Sequence, residues 1–286
     1  MTQRVLGVLG GSGLYEMEGL TDVHERTVPT PFGDPSDRVI EGKLGGTTLL
    51  FLPRHGRGHR LSPSAVPYRA NVYALKALGA THLLSVSAVG SLREEIAPGH
   101  LVLPDQFVDR TQHRAATFFD RDLVVHASMA DPVCPHLSAA VAASAQETGA
   151  TVHTGGTYLC IEGPRFSTRA ESRLWRAWGA DIVGMTNVPE VFLAREAELP
   201  YATLALSTDY DAWRPHDEVQ VADVLAVVQA NVARARAVVA SLAGRLPDPH
   251  LSPAHGALRH SILTAASHIQ PESRIRYGLL LGRYLG

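Results

Sequence analysis

Lysine is nearly absent: Lys43 and Lys76 are the only two in 286 residues, and every other basic side chain apart from histidine is arginine. With so skewed a set, an arginine alone is weak evidence of an anion site and needs neighbours that argue for one. Cysteine is as scarce. Cys134 and Cys160 form neither a CxxC pair nor a metal-ligand cluster, which excludes the disulfide framework of a small secreted domain, and both read as reduced core residues. Charge of one sign is not in excess either, since 26 basic residues face 28 acidic ones. No block of like charge could track a nucleic-acid backbone or an anionic membrane, so neither is an expected partner. No uncharged apolar run approaches the ~18 residues of a spanning helix. The apolar stretch at the start is broken by Gly7, Gly10, Gly11 and Gly13 and followed by Glu16 and Glu18, which does not fit a signal peptide. The expectation is a cytoplasmic protein.

What is present is an ordinary globular composition, 45% hydrophobic and 19% charged, in a chain long enough for one large or two ordinary domains. Short β-rich apolar runs alternate with segments of helical period, the pattern of an α/β protein with a largely buried sheet. The runs are Val5–Leu9, Val39–Leu44, Thr48–Leu52, His82–Ser87, Leu101–Leu103, Thr157–Ile161, Asp181–Met185 and Ala202–Ser207. Gly45-Gly46 joins the second and third as a hairpin turn, so the sheet is mixed. Helical patterns fall at Tyr68–Leu78, Pro135–Thr148, Thr168–Trp178, Pro189–Glu198 and, longest, Val221–Leu242. After the break Leu246-Pro247-Asp248-Pro249, a further helical pattern lies near Ala254–His268. A tail of some forty residues cannot bury a core of its own and is expected to lie on residues 1–245 or on a neighbouring subunit.

Chemistry-bearing residues gather at the ends of the expected strands. The first runs into Gly10-Gly11-Ser12-Gly13, which serves equally as a tight turn or as a loop whose amides converge on an anion, and which matches neither the Walker nor the dinucleotide fingerprint. Another ends in Arg54-His55-Gly56-Arg57-Gly58-His59-Arg60, where arginine offers bidentate donors to phosphate; the bland alternative is a solvated basic loop. His55 and His59 have the spacing of a zinc helix, but the interposed glycines and the missing HExxH glutamate argue against a metal. Ser85-Val86-Ser87-Ala88 and Met185-Thr186-Asn187 close two more strands with hydroxyls and amides. Ligands of open α/β sheets collect at carboxyl ends of strands, so these ends together predict one phosphate pocket. The last strand delivers Asp209 and Asp211, two apart and so on one side of an extended chain. Such a pair serves a metal, a glycosidase acid and base, recognition of a base edge, or merely a capped turn. Phosphate beside a carboxylic acid suits phosphorolysis of an N-glycosidic bond, provided burial or its neighbour raises the acid's pKa.

Eight motifs in order carry a resemblance. They are Gly10-Gly11-Ser12-Gly13-Leu14, Thr30-Pro31-Phe32-Gly33-x-Pro35-Ser36-Asp37, Arg54-His55-Gly56, Gly90-Ser91-Leu92-Arg93-Glu94-Glu95-Ile96, Asp105-Gln106-Phe107, Glu162-Gly163-Pro164-Arg165-Phe166-Ser167, Gly184-Met185-Thr186-x-Val188-Pro189-Glu190 and Thr208-Asp209-Tyr210-Asp211. From Val5 to Leu242 the chain resembles the methylthioadenosine phosphorylase branch of the trimeric purine nucleoside phosphorylase family. The resemblance implies a single-domain α/β fold with a mixed sheet flanked by helices, a homotrimer, small-molecule nucleoside and phosphate as substrates, and no cofactor. It also implies roles: Ser12, Arg54, His55, Ser87, Ala88 and Thr186 for phosphate with His59 nearby, Met185 against the ribose, and Phe166 against the purine. Asp209 and Asp211 would address N7 and the 6-amino edge. His126 aligns with a residue the family sends across the trimer interface, and Val221 and Val224 with positions lining its methylthio pocket.

Relatives acting on 6-oxopurines carry Glu where this chain has Ser167 and Asn where it has Asp209, so the pair here implies adenine. Gly184 stands where some relatives have asparagine. The reading is phosphorolysis of methylthioadenosine. Its rivals are a broader phosphorylase of inosine, guanosine, adenosine or methylthioinosine, a phosphate-independent nucleosidase, and a non-catalytic nucleoside-binding subunit.

Overall fold

The computed structural model describes residues 4–11, 13–214 and 221–285, without the side chains of 222–226, 228 and 230. Among the described residues one sheet of eleven strands carries the fold. In chain order these are β1 (Val5–Gly10), β2 (Thr21–Arg26), β3 (Val39–Leu44), β4 (Thr47–Pro53), β5 (His82–Ser91), β6 (Leu101–Leu103), β7 (Gln106–Arg110), β8 (Val152–Thr154), β9 (Thr157–Ile161), β10 (Ile182–Gly184) and β11 (Tyr201–Asp209). The helices are α1 (Tyr68–Ala77), α2 (Pro135–Gln146), α3 (Arg169–Ala177), α4 (Asn187–Glu196), α5 (Val221–Ala243), α6 (Pro271–Arg276) and α7 (Gly278–Leu285). β3 and β4 pair antiparallel across Gly45-Gly46, while β1, β4, β5 and β11 run parallel, so the sheet is mixed as expected.

Strand alternation sorts the core onto two faces. In β4, Leu50 and Leu52 join the cluster of α1 and α4 through Val72, Leu75 and Val191, whereas Leu49 and Phe51 join that of α2 and α5 through Val141, Val238 and Leu242. Both faces are covered, which is why β1 and β4 are buried at every residue. Both cysteines are free thiols in this core.

Three strands have no counterpart among the expected runs. Every residue of β2 is exposed; β7 is largely exposed and β8 is three residues long. β2 is held by backbone pairing and surface ion pairs such as Arg26–Glu41, and β7 and β8 add only Phe107, Val108 and Val152 to the core, which leaves no clear apolar period. The helix expected over Ala254–His268 is corrected. Gly256 has φ +79, and the segment closes successive three-residue turns, Ala257 N–H to Ala254 O and Arg259 N–H to Gly256 O, with only a short 3-10 turn at Ala266–His268. Helices come later, as α6 and α7, and Tyr277, Leu280 and Leu281 are buried in the cluster of α1 and α4.

Gly184 has a spatial explanation. A Cβ there would stand 1.9 Å from the Tyr158 hydroxyl oxygen, and Tyr158 is fully buried. Gly184→Ala is expected to cost about 1–3 kcal/mol through overpacking, read from urea unfolding, with Tyr158→Leu in the same chain returning part of it. An unshifted midpoint in Gly184→Ala would mean that Tyr158 moves aside freely.

Candidate functional site

The site begins with an irregularity in β5. Along one edge β5 pairs with β11 from Leu83 to Gly90. Along the other it pairs with β1 only as far as Ser85, and with β10 only at Gly90 and Ser91. Among the described strands nothing pairs with residues 86–89 on that edge. Because β1 is parallel to β5 and β10 antiparallel, their carboxyl ends approach the gap from opposite directions. Extending the β10 register by three residues sets Thr186 opposite Ser87, and their hydroxyl oxygens lie 3.2 Å apart. Ala88 is the one exposed residue in an otherwise buried strand. Ser87, Ala88 and Thr186, three of the residues expected to hold phosphate, therefore border the gap, Ala88 exposed and the two hydroxyls buried.

Arg54, immediately after β4, closes the other end of the gap. Its Nη1 donates to Val86 O (3.1 Å) and its Nη2 to Leu9 O (3.0 Å) and Ser85 Oγ (2.7 Å). Its bidentate edge does not face outward. Nε and Nη2 reach Glu190 Oε2 and Oε1 of α4 at 2.7 and 3.1 Å, with both side chains at most 3% exposed. Burial alone would lower the guanidinium pKa, but the Glu190 charge outweighs it and the group stays protonated. Only Nη1 keeps an N–H without a partner among the described residues, so Arg54 offers a ligand one donor and not a fork. Glu190 in turn accepts from the Tyr201 hydroxyl.

The loop after Arg54 is braced by the Thr30–Asp37 motif. Ser36 Oγ donates to Pro53 O, Asp37 Oδ2 accepts from Arg57 N–H, and Arg60 donates to Ser36 O. This places His55 and His59 in a stack with centroids 4.3 Å apart, His59 at φ +53. His55 Nδ1 lies 2.8 Å from Leu61 O, and since a carbonyl only accepts, Nδ1 carries the hydrogen. Burial, and then the Arg54 charge, lower the His55 pKa to about 4. At neutral pH the ring is uncharged and presents a lone pair at Nε2.

Two carboxyl groups stand at the end of β11. Asp209 Oδ2 accepts from Thr208 Oγ1 and Oδ1 from Asp211 N–H, both at 2.7 Å. The pair sits over Gly90, where a Cβ would meet Asp209 Oδ1 at 3.0 Å and Asp211 Cβ at 3.2 Å. Burial raises the pKa of Asp209 and the Asp211 charge adds to it, against the two donated hydrogen bonds. Burial also raises Asp211, countered by the nearby Ser172 and Ser167 hydroxyls. Neither hydroxyl completes a hydrogen bond: Ser167 Oγ, Ser172 Oγ and Asp211 Oδ2 are buried without a partner among the described residues. Asp211 adopts φ +50, a strained backbone of the kind found at functional sites. Unpaired buried donors and acceptors beside a strained carboxylate suit a ligand edge that supplies both.

Phe166, partly exposed, and Ser167 lie in the loop ended by the Thr168–Glu171 capping box of α3. Met185 faces that loop, its Sδ 2.7 Å from where a Cβ on Gly163 would stand. The structure thus brings Arg54, Ser87, Ala88 and Thr186 together around the gap, and Asp209 and Asp211 over Gly90 with Ser167 beside Asp211. His126 is exposed, tied by its N–H to Ser261 O. Val221, first residue of α5, is 59% exposed. Ser12 and the Val224 side chain lie outside the described residues. Sequence reasoning missed Glu190 as the partner of Arg54; its only signal was its place in the Val188-Pro189-Glu190 motif.

The family model of the phosphorylase superfamily matches residues 5–243. The S-methyl-5′-thioadenosine phosphorylase of Geobacter sulfurreducens is 54% identical over 99% of this chain and 100% of its own. A crystal structure of a methylthioadenosine phosphorylase sourced from an antarctic soil metagenomic library superposes with a TM-score of 0.92 at 44% identity, covering 98% of this chain and 100% of that one. A mutant adenosine/methylthioadenosine phosphorylase of Schistosoma mansoni, crystallised in complex with methylthioadenosine, gives a TM-score of 0.81 at 40% identity over 85% and 91%.

Breaking a buried ion pair by removing one partner strands the other charge, so Glu190→Ala is expected to cost about 3–5 kcal/mol, measured by urea unfolding. A loss below about 1 kcal/mol, within the range of a surface pair, would show that Arg54 is not held by this carboxylate.

Proposed function

The chain belongs to the phosphorylase superfamily, and on that premise we propose that it is a pentosyltransferase that cleaves 5′-methylthioadenosine by phosphorolysis. The products are adenine and 5-methylthioribose 1-phosphate, a salvage reaction. One observation carries the reading beyond the family: a buried Asp209–Asp211 pair of raised proton affinity lies at one end of β5's open edge, and a guanidinium at the other.

The chemistry follows from that spacing. Phosphate held in the gap by Ser12, Ser87 and Thr186, the Ala88 backbone and the free Nη1 donor of Arg54 attacks C1′ as the C1′–N9 bond breaks. The ribosyl group passes through a cationic state that the anion stabilises. His55, uncharged with its lone pair at Nε2, accepts a hydrogen bond from the hydroxyl of hydrogen phosphate and adds no charge, with His59 stacked behind it. Asp209, whose proton affinity burial raises, gives its proton to N7 of the departing purine, and Asp211 accepts from the 6-amino group. Phe166 and Ser167 border the base and Met185 the ribose. Phosphate is the co-substrate, and no further cofactor enters the reaction.

The 5′ group falls to Val221, Val224 and, from a neighbouring subunit, His126. The homotrimer is proposed on the resemblance, and the exposed His126 is free to face a neighbouring subunit. Two buried free thiols support a cytoplasmic location. Residues 1–245 form the catalytic domain and 246–286 a C-terminal segment laid upon it.

Asp209→Asn is expected to lower kcat on methylthioadenosine by about 10²-fold or more, as loss of a general acid does. Combined with Ser167→Glu it is expected to move activity toward inosine, followed by product chromatography. An unchanged rate in the single variant would remove Asp209 from the mechanism.

A further inference from the structure

Arg114 is a buried arginine with almost no counter-charge. Its side chain is 1% exposed, and the carboxylate nearest to it, that of Glu162, is 3.8 Å away and engaged by Ser64 Oγ and Gln112 N–H. Its donors go instead to neutral oxygens. Nη1 donates to Met185 O (2.7 Å), Val188 O (2.6 Å) and the Tyr68 hydroxyl (3.2 Å), and Nη2 to Glu162 O (2.7 Å). A desolvated guanidinium is costly, and its retention on backbone carbonyls needs a reason beyond stability.

The carbonyls it holds supply that reason. Met185 and Val188 bracket Thr186, at the carboxyl end of β10, and Glu162 opens the loop that carries Phe166 and Ser167. One planar fork therefore fixes the phosphate and ribose end of the site against its purine end. A lysine, a point charge on a flexible stem, cannot reproduce this geometry. The charge also reaches the anion side, since Arg114 is among the groups that depress the His55 pKa.

We infer that Arg114 is a positioning residue that sets the distance between the phosphate gap and the purine loop, so that both co-substrates are bound through it. This rests on the proposed phosphorolysis. It differs from the roles assigned above because Arg114 acts through the backbone of 185, 188 and 162 and not by touching substrate.

The test uses Arg114→Lys and Arg114→Ala in the full chain. Kinetics are measured for methylthioadenosine and phosphate separately, adenine binding by calorimetry, and folding by urea unfolding. In the folded variants kcat/KM is expected to fall about 10²-fold, the effect of a misplacement of about 1 Å, with KM raised for both co-substrates and adenine binding weakened. Guanidinium ion at millimolar concentration is expected to restore Arg114→Ala by about tenfold, as a free fork filling the vacated site, where ammonium at equal ionic strength does not. Arg114→Lys with wild-type constants, or variants that lose activity only in proportion to lost folded protein, would overturn the inference. If Arg114→Ala does not fold, the lysine variant and its adenine affinity decide alone. A wild-type chain that binds adenine but releases none from methylthioadenosine would refute the phosphorolysis reading, while adenine binding still reports on Arg114.

Discussion

The site depends on a guanidinium lodged in a sheet. Arg54 occupies the point where β1 leaves β5, and its donors to Leu9 O and Val86 O stand in for the strand pairing that stops there. Without it, two carbonyls at the carboxyl edge of a buried sheet would lie unpaired, at about 1–3 kcal/mol each. Glu190 makes the burial of its charge tolerable and also aims it, turning the bidentate edge inward and leaving one Nη1 donor for the gap. The opening of β5 at residues 86–89, the exposure of Ala88 and the approach of Thr186 to Ser87 all follow from this one substitution of side chain for strand.

At the opposite end of the same strand the physics is reversed. Arg54 is kept charged by a partner, whereas Asp209 and Asp211 are pushed toward their neutral forms by burial, helped at Asp209 by the Asp211 charge and at Asp211 by that of Glu171. A guanidinium and a pair of carboxyl groups of raised proton affinity are thereby set at the two ends of one strand. Gly90 and Gly184 matter because they give way: the first admits the acid pair, and the second leaves room for Tyr158 beneath the gap.

How much of this the sequence reveals depends on whether burial or proximity is in question. The buried strands announce themselves as apolar runs, and Gly45-Gly46 marks its hairpin. The edge strand Thr21–Arg26 leaves no trace because all six of its side chains are exposed. Ala254–His268 has helical spacing but folds as turns, Leu258 being drawn into the core with its N–H on Glu198 Oε1. In the site, the hydroxyls at strand ends and the Asp209–Asp211 pair are legible one by one. Glu190 and Arg114 are not, because their roles arise from contacts 136 and 71 residues distant, with Arg54 and with Met185 O. In so arginine-rich a chain nothing local sets Arg114 apart.

The central claim is that the gap in β5 holds the nucleophile and the Asp pair releases adenine. The direct measurement is adenine release from methylthioadenosine with and without inorganic phosphate, with inosine and adenosine alongside. The account predicts release that requires phosphate, yields methylthioribose 1-phosphate and favours methylthioadenosine over inosine. Equal release without phosphate, or faster turnover of inosine, would contradict it.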